Sequence, residues 1–430
     1  MAILFAPDTA PAVRSTRLSP SIAREHRCAA RNYDPLPVVL KHGDGCWVWD
    51  EHGRRYLDMM SAYSAVSHGH AHPRIVGALV AQAQQLAVTS RVFHNELLPA
   101  FLQRLTEVTR LDRALPASGG AEAVETALKA ARKWGYKTKG IPADRAEIVV
   151  CAGNFHGRSI AIVGFSSEPQ YRDGFGPFPG GFRQVPFGDA DALARAIGPN
   201  TAAFLVEPIQ GEGGIVVPPP GYLARCERIC RERNVLLICD EIQTGMGRTG
   251  KFLACEHENV RPDGVILGKG LTGGYLALAA TLATDEVWRA FLGAYQESRT
   301  FFHGHTYGGN PLAAAVGLAA LDVLFDEGLI ERSAEQGAYL LARLSTVTSP
   351  LIREIRGRGL FIGVEVDRER IAARDVVDRL LARGILSKDT HGAVVRMAPP
   401  LTIDRDAIDW AVEEVRAVFA ELGDGLRRAA

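Results

Sequence analysis

A series of short, uninterrupted apolar segments constrains the fold of this chain more than any other feature. Five of them are rich in Val, Ile and Leu and are bounded by Gly, Pro or Asp: Glu147–Ala152, Ala202–Glu207, Val235–Asp240, Gly264–Gly268 and Ala277–Thr284. They lack polar alternation, which is typical of strands covered on both faces in a mostly parallel sheet. Helical stretches such as Tyr222–Arg233 separate some of them, so we predict an α/β architecture.

Helical periodicity frames these strands. A helix is predicted over Ile75–Val88, just after Pro73, and a second over Ala121–Tyr136. After Pro311 the pattern changes to a smaller α+β unit. Its predicted helices are Ala313–Phe325, Ser333–Ser345, Asp375–Ala382 and Ile408–Leu422, and its predicted strands are Gly359–Val366 and Ala393–Met397.

The charge balance and the cysteines exclude several classes of protein. Lysine plus arginine and aspartate plus glutamate both total 49, so the basic excess of a nucleic-acid-binding domain is lacking. No apolar run approaches membrane-spanning length. The seven scattered cysteines are expected to be reduced, buried thiols of a cytoplasmic protein. Cys226 and Cys230 have no second ligand pair nearby, so no metal site is predicted.

The N-terminus leaves two interpretations open. Residues 1–31 contain several arginines and serines but no long apolar stretch, so they do not resemble a secretory signal. An organellar transit peptide is one reading, and a plain disordered or arm-like segment is the one we favour.

Two local patterns imitate binding motifs. Gly245–Gly250 matches G-x-G-x-x-G and, with Lys251, nearly matches a P-loop, but residues intervene after the strand and Phe252 stands where a P-loop has Ser or Thr. We therefore reject a nucleotide site. His68, His70 and His72 alternate like metal ligands, but their flanks resemble a turn, so structural or substrate-channel roles are favoured.

Two charged residues are expected at one edge of the sheet. Asp240 ends the most apolar strand and Lys269 ends the next one, at the carboxyl edge where ligands of open α/β sheets bind. A buried aspartate needs a cationic partner. An arginine would satisfy Asp240 structurally, and spacing alone does not decide between that reading and a chemical one.

The chemical reading is a site for pyridoxal phosphate. This cofactor needs a lysine for a Schiff base and an acid against its pyridinium nitrogen, which Lys269 and Asp240 would supply. Ser118–Ala121 opens a helix and offers backbone N–H groups to a phosphate. Phe155 follows a strand and offers an aromatic face to the ring.

From about Asn32 to Leu401, the chain resembles class III (fold-type I) pyridoxal-phosphate aminotransferases, and within them the ornithine aminotransferases. The resemblance is carried by these segments: Asn32–Val38, Ser61–Val66, Thr89–Arg91, Ala131–Tyr136, Gly153–Arg158, Asp173–Phe178, Val206–Glu212, Asp240–Gly245, Leu267–Lys269, Thr306–Pro311 and Arg396–Pro400.

The resemblance implies a large domain with a mainly parallel seven-stranded sheet and a small α+β domain. With it we predict four regions: an N-terminal arm (1–31), an N-terminal segment contributing to the small domain (32–72), the large cofactor-binding domain (73–311) and the C-terminal small domain (312–430).

It also implies roles around the cofactor. Lys269 would form the Schiff base, Asp240 would pair with the pyridinium nitrogen and Gln243 would contact the ring hydroxyl. Phe155 and Ile242 would enclose the ring.

The phosphate would be bound by Gly120 and Ala121 of one subunit and by Thr306 of its neighbour. The resemblance therefore implies a homodimer with a shared active site.

The implied substrates are ornithine and 2-oxoglutarate, with transfer of the δ-amine. Arg158 would bind the carboxylate farthest from the reacting amine, and Arg396 the α-carboxylate of 2-oxoglutarate. Glu212 would act as a gate, pairing with Arg396 until the diacid enters. Tyr63 would contact the α-amino group of ornithine, and His94 would help to shape the pocket. An ordinary salt bridge is the alternative for Glu212 and Arg396.

The sequence departs from the ornithine pattern in four places: Ser118–Gly120 replaces Asn-Thr-Gly, His94 replaces a tyrosine of animal members, Phe302–His305 precedes Thr306, and Tyr275–Ala279 lacks a proline. These departures leave the cofactor chemistry unaffected but weaken the choice of ornithine. Other ω-amines (acetylornithine, 4-aminobutyrate, lysine), an epimerase, and a cofactor-binding protein without catalysis stay open as alternatives.

Overall fold

The computed structural model describes residues 19–292 and 303–429. In this part of the chain the strands are β1 (Leu40–Asp44), β2 (Trp47–Asp50), β3 (Arg55–Asp58), β4 (Arg113–Ala117), β5 (Glu147–Cys151), β6 (Phe182–Val185), β7 (Thr201–Val206), β8 (Leu236–Asp240), β9 (Gly264–Leu267), β10 (Ala279–Ala283), β11 (Ile352–Arg358), β12 (Phe361–Val366), β13 (Ile385–Leu386), β14 (Asp389–Thr390) and β15 (Val394–Met397).

The helices are α1 (Pro20–Cys28), the single turn α2 (Ser61–Ser64), α3 (Pro73–Ala83), α4 (Leu97–Thr109), α5 (Gly120–Trp134), α6 (Ile160–Gly164), α7 (Ala190–Ala196), α8 (Tyr222–Glu232), α9 (Asp285–Leu292), α10 (Pro311–Asp326), α11 (Leu329–Ser345), α12 (Ala373–Ala382) and α13 (Arg405–Ala429). A π-helical turn, Gly135–Lys139, continues α5.

A seven-stranded sheet in the order β4-β10-β9-β8-β7-β5-β6 forms the centre of the fold. Strands β5 to β9 run parallel to one another, whereas β10 runs antiparallel to both β9 and β4. The predicted mainly parallel, seven-stranded sheet is thus confirmed. The two edge strands were not among the five predicted: β4 contains Pro116, and β6 exposes its two central polar residues.

Side chains of the sheet are buried on both of its faces, which explains the uninterrupted apolar runs. In β5, Ile148 and Val150 pack in the cluster that includes α5, whereas Val149 and Cys151 pack in the larger cluster on the other side. Every residue of β7 is buried. Complete burial of an aliphatic side chain contributes about 1.5–3 kcal/mol to the free energy of unfolding. The side-chain layers on both faces therefore stabilise the sheet.

Two smaller sheets combine the N-terminal strands with the C-terminal part of the chain. One has the order β1-β2-β3-β13, with β13 parallel to β3, and the other has the order β11-β12-β15-β14. This arrangement agrees with the N-terminal segment contributing to a small unit. The domain boundaries themselves stay a prediction, since α10 also packs against α3 and α4.

Several sequence predictions need correction in their bounds. The first helix ends at Ala83 and not at Val88, and the strands β1, β2, β3 and β11 were not predicted. In the N-terminal arm, residues 1–18 lie outside the described part, while Pro20–Cys28 forms a helix without buried residues. All seven cysteines are free, and all but the exposed Cys28 are buried.

The glycine-rich segment Gly245–Gly250 and the alternating histidines contain residues with structural roles. Arg248, inside the glycine-rich segment, is completely buried and donates hydrogen bonds to the Leu360 carbonyl at 3.0 Å and the Ser67 hydroxyl at 2.8 Å. His68 bonds the Ala320 carbonyl at 2.9 Å, and His70 bonds Asp58 at 2.8 Å.

In residues 19–292 and 303–429, no helix is long and apolar enough to cross a membrane. The same residues contain no cluster of three or more His, Cys, Asp or Glu side chains arranged to hold a metal ion.

Candidate active site

The carboxyl edge of the large sheet brings Asp240 and Lys269 together. Strands β8 and β9 are parallel neighbours, with Asp240 in register with Ile266, and Lys269 follows the end of β9. Both side chains line one cavity of about 170 Å³, whose other walls are Gly120, Ala121, Phe155, His156, Gly157, Glu207, Ile242, Gln243 and Thr244. The expected juxtaposition of an acid and an amine is therefore present.

Asp240 is paired with a histidine and not with an arginine. His156 Nδ1 lies 2.6 Å from Asp240 Oδ2, and both side chains are almost completely buried. Burial by itself lowers the pKa of His156, but the hydrogen bond and charge of Asp240 outweigh it, so the pKa is raised. Sequence reasoning missed His156, although it follows Phe155 directly in a segment that was singled out.

Glu207 is a second buried carboxyl in the cavity wall, also missed at the sequence level. It accepts hydrogen bonds from the backbone N–H of Phe155 at 2.9 Å and of Gly211 at 3.2 Å. Burial raises the pKa of Glu207 to about 7, although the charge of His156 opposes that shift. Its position at the end of β7, the strand next to β8, was the available signal.

Lys269 is held in a constrained and partly desolvated position. Its φ of +46° lies in the left-handed region, which is uncommon for a residue with a side chain and is often associated with functional sites. Burial lowers the pKa of Lys269, although the charge of Glu212 opposes the shift. Lys269 is therefore neutral more often than a surface lysine, and a nucleophile or a base needs the neutral amine.

The remaining walls fit a flat ring with a phosphate at one end. Phe155 and Ile242 both line the cavity, and a Cβ atom at Gly120 would lie only 3.0 Å from Ile242 Cδ1. Gly120 and Ala121 begin α5, where backbone N–H groups lack helical partners and favour an anion. His156 Nε2 is buried without a hydrogen-bond partner in the described residues. These features fit pyridoxal phosphate.

Gln243 lines the 170 Å³ cavity and contacts Tyr63. Its Nε2 donates to the Tyr63 carbonyl at 3.4 Å, and a Cβ atom at Gly211 would meet Gln243 Oε1 at 1.8 Å. Tyr63 belongs to α2, whose four residues all have positive φ, and it lines a larger groove of about 950 Å³. The strained turn α2 therefore lies between the 170 Å³ cavity, which Gln243 lines, and the 950 Å³ groove, which Tyr63 lines.

Arg396 and Glu212 form a pair next to Gly211 and near the ring of Tyr63. Arg396 Nη1 donates to Glu212 Oε1 at 2.8 Å, Nη2 donates to the Gly211 carbonyl at 2.9 Å, and Nε donates to Thr390 Oγ1 at 2.7 Å. Burial alone would raise the pKa of Glu212, but the charge and hydrogen bond of Arg396 keep it below its ordinary value. Only about 2% of the Arg396 side chain is exposed, so this pair is not an ordinary surface salt bridge.

Arg158 lies near Phe155, a wall residue of the 170 Å³ cavity, and itself lines a separate cavity of about 340 Å³. Its guanidinium carbon is 5.8 Å from the ring centroids of Phe155 and Tyr33 and 4.9 Å from that of Tyr171. Arg158 is exposed, and these three aromatic rings surround its guanidinium group. A substrate carboxylate could be bound there.

Like Arg158, the predicted site residues His94 and Thr306 are exposed and line neither the 170 Å³ cavity nor the 950 Å³ groove of their own chain. Their segments contact each other, because Asn95 Nδ2 donates to the Gly309 carbonyl at 3.2 Å. Their roles stay predictions. Phe302, in one of the departures from the ornithine pattern, lies outside the described residues.

Comparison with known proteins identifies relatives over nearly the whole chain. Residues 28–419 match the family model of class-III aminotransferases. The ornithine aminotransferase of Bordetella pertussis is 52% identical over 401 residues, which cover 93% of this chain and 96% of that protein.

Solved structures agree with these sequence relatives. A structure of Toxoplasma gondii ornithine aminotransferase, with partial occupancy of pyridoxal phosphate at its active site, is 43% identical, has a TM-score of 0.90 and is matched over 94% of both chains. Acetylornithine aminotransferase of Elizabethkingia anophelis is 41% identical with a TM-score of 0.83, over 93% of this chain and 98% of that one.

Proposed function

The chain belongs to the class-III aminotransferases, a pyridoxal-phosphate-dependent family, and we propose that it transfers the δ-amino group of ornithine to 2-oxoglutarate. The products are glutamate 5-semialdehyde and glutamate. The observation that carries this proposal is the Glu212–Arg396 pair beside a cavity that contains Lys269 and Asp240. Such a pair lets one pocket accept a cationic diamine and then a diacid.

The cofactor-binding roles follow from the cavity. Bound pyridoxal phosphate supplies a carbonyl that links to amines and a ring that accepts the electron pair left when a C–H bond breaks. Lys269 would hold the cofactor covalently, and Asp240, supported by His156, would keep a proton on the ring nitrogen. Gly120 and Ala121 would bind the phosphate.

The chain's own residues then perform the proton transfer. With ornithine bound at the cofactor, the neutral amine of Lys269 would act as the base that removes a proton from Cδ of ornithine. The lowered pKa of Lys269 favours that neutral form. Phe155 and Ile242 hold the reacting plane from its two sides and restrict the access of water.

Charge alternation explains the use of two different substrates. With Glu212 paired to Arg396, the pocket presents no strong anion site near the reacting carbon, and ornithine binds through its distal carboxylate at Arg158 and its α-amino group at Tyr63. When Glu212 moves away, Arg396 binds the α-carboxylate of 2-oxoglutarate, while Arg158 binds the other carboxylate.

A homodimer with a shared active site completes the proposal. Thr306 is exposed beside apolar side chains that are also exposed, namely Tyr307 at 58%, Phe93 at 67% and Val92 at 82%. Apolar side chains in such numbers favour contact with another protein surface. Thr306 would then contribute its hydroxyl to the phosphate of the neighbouring subunit, and His94 would lie at the same interface. Six buried, unbridged cysteines support a reducing, cytoplasmic location.

A half-reaction experiment tests the function. The purified enzyme is mixed with ornithine alone, and the visible absorbance of the bound cofactor should be lost while glutamate 5-semialdehyde is trapped chemically. Addition of 2-oxoglutarate should restore the absorbance and release glutamate. Acetylornithine, 4-aminobutyrate and lysine serve as competitors, and faster turnover of one of them would replace ornithine as the donor. Consumption of an amine without any acceptor requirement would indicate an epimerase.

A further inference from the structure

Lys388 is a cation in the groove of about 950 Å³, and the proposed mechanism assigns it no role. It lies just before β14, and its carbonyl accepts a hydrogen bond from the Arg396 backbone N–H at 3.0 Å. Its side chain lines the groove of about 950 Å³ together with Tyr63. Among the described residues, no carboxylate lies within ion-pair distance of the Lys388 ammonium.

Two aromatic rings position this ammonium. Lys388 Nζ is 5.7 Å from the ring centroid of Tyr33 and 5.6 Å from that of Tyr63. The guanidinium carbon of Arg396 is 5.7 Å from the same Tyr63 ring. Tyr63 therefore lies beside two cations, one buried in an ion pair and one facing the groove, and cation–π attraction stabilises both.

The gate has a physical cost that a second cation would offset. Glu212 is only about 20% exposed, so when Arg396 pairs with a substrate carboxylate instead, the Glu212 carboxylate loses its partner in a largely desolvated position. A buried charge without a partner is strongly unfavourable. Burial raises the pKa of Glu212, and the charges of Arg396, Lys269 and, to a smaller extent, Lys388 lower it, so the Lys388 ammonium is close enough to act on this carboxylate.

We propose that Lys388 is the alternate partner of Glu212: it binds the carboxylate whenever Arg396 is released to the diacid, and so determines how well the enzyme accepts 2-oxo diacids. An ammonium on a flexible stem suits this role, because it can follow a moving carboxylate without fixed geometry. The buried guanidinium suits the other position, because Gly211 and Thr390 hold it in place. This inference rests on the proposed exchange between ornithine and a diacid.

Binding of glutarate to the holoenzyme tests the inference without turnover. Glutarate has the chain length and both carboxylates of 2-oxoglutarate but no reactive carbonyl, and its Kd is measured by calorimetry. Lys388→Met should raise the Kd by about fivefold, the loss expected for one partly exposed ion pair. Lys388→Arg should restore most of the affinity. Lys41→Met, on the exposed strand β1 and outside the groove, is the matched control.

A double-mutant comparison separates this role from direct substrate binding. In a Glu212→Ala background, Lys388→Met should have no further effect on glutarate affinity, because the carboxylate that it serves is gone. A persistent loss in that background would mean that Lys388 binds the substrate itself, and would overturn the proposal. The donor half-reaction with ornithine should lose less than the acceptor half-reaction, and an equal loss in both would also overturn it.

The proposed function has its own, separate outcome. If the wild-type enzyme does not react with ornithine alone, the function fails whatever Lys388 does. If the wild-type reaction proceeds and Lys388→Met binds glutarate as tightly as wild type, only the role of Lys388 fails.

Discussion

The imidazole of His156 and the carboxylate of Asp240 lie 2.6 Å apart, and neither side chain reaches solvent by more than 4% of its area. His156 thus gives the buried Asp240 carboxylate a hydrogen-bonded partner in the wall of the cavity that also contains Lys269. His156 positions Asp240 and does not itself have to touch the reacting atoms.

Replacing His156 should therefore weaken cofactor binding. In His156→Phe the buried Asp240 loses its charged partner, and the loss of a hydrogen bond to a charged group predicts at least about a tenfold higher Kd for pyridoxal phosphate. His156→Asn, which can still donate a hydrogen bond, should lose less. Fluorescence titration of the cofactor-free protein measures the Kd. His52→Asn, on an exposed side chain, is the control, and equal affinities in all four proteins would contradict a positioning role.

The large sheet could be predicted because its central strands are buried on both faces. In Val235–Asp240 nearly every side chain is apolar, and this pattern alone separates a central strand from a solvent-exposed one. The edge strands β4 and β6 carry a proline or exposed polar residues, so their pairing depends on neighbours that are distant in sequence.

The site could be predicted only in part, for a related reason. Asp240 and Lys269 follow neighbouring strands, so topology alone places them together. The partner of Asp240 comes from residue 156, and nothing in its local sequence distinguishes a histidine that faces the cavity from one that faces solvent. The roles proposed for Thr306 and His94 involve a second chain, which the sequence of one chain predicts only through family resemblance.

Stability as a function of pH should report on Glu207. Its pKa is about 7 in the folded protein, above the ordinary value of 4.5, so between these values the folded state binds more protons than the unfolded state. The contribution of Glu207 to stability is fully present below pH 4.5 and is lost as the pH rises through about 7. Glu207→Gln should remove this loss.

Urea denaturation of the cofactor-free protein at a series of pH values between 5 and 8 is the appropriate measurement. The wild type should lose stability across this range more steeply than Glu207→Gln. The control Glu335→Gln, at an exposed position, should follow the wild type. Parallel curves for all three proteins would show that Glu207 is ionised in the folded state.

Removal of the gate should change substrate preference. In Glu212→Ala the Arg396 guanidinium is available in both half-reactions, so diacids and ω-amines that lack an α-amino group, such as 4-aminobutyrate, should gain relative to ornithine. The charge pair is largely buried, and we expect the ratio of kcat/KM values to shift by about tenfold or more. Stopped-flow rates of each half-reaction give this ratio, with Glu335→Ala as the control. An unaltered preference would count against the gate.

Arg158 should matter to both half-reactions. It is proposed to bind the distal carboxylate of either substrate, so Arg158→Ala should lower kcat/KM for ornithine and for 2-oxoglutarate by similar factors, on the order of tenfold or more. Arg158→Lys keeps the charge but not the two-pronged geometry and should recover part of each loss. A loss confined to one substrate would show that Arg158 serves only that half-reaction.

A mixed dimer can show whether the active site is shared. Thr306→Asp places a negative charge where the phosphate is expected, so its homodimer should bind the cofactor weakly, and Lys269→Ala should be inactive because it lacks the proposed covalent link and base. If Thr306 acts across the interface, a dimer of one Lys269→Ala subunit and one Thr306→Asp subunit contains one complete site, because the second subunit supplies Lys269 and the first supplies the intact Thr306. Dimers purified with two affinity tags should then have about half of the wild-type activity, as the count of complete sites requires. If Thr306 instead serves its own chain, both sites of the mixed dimer are defective and activity stays at the level of the parents, which would restrict the phosphate site to a single subunit.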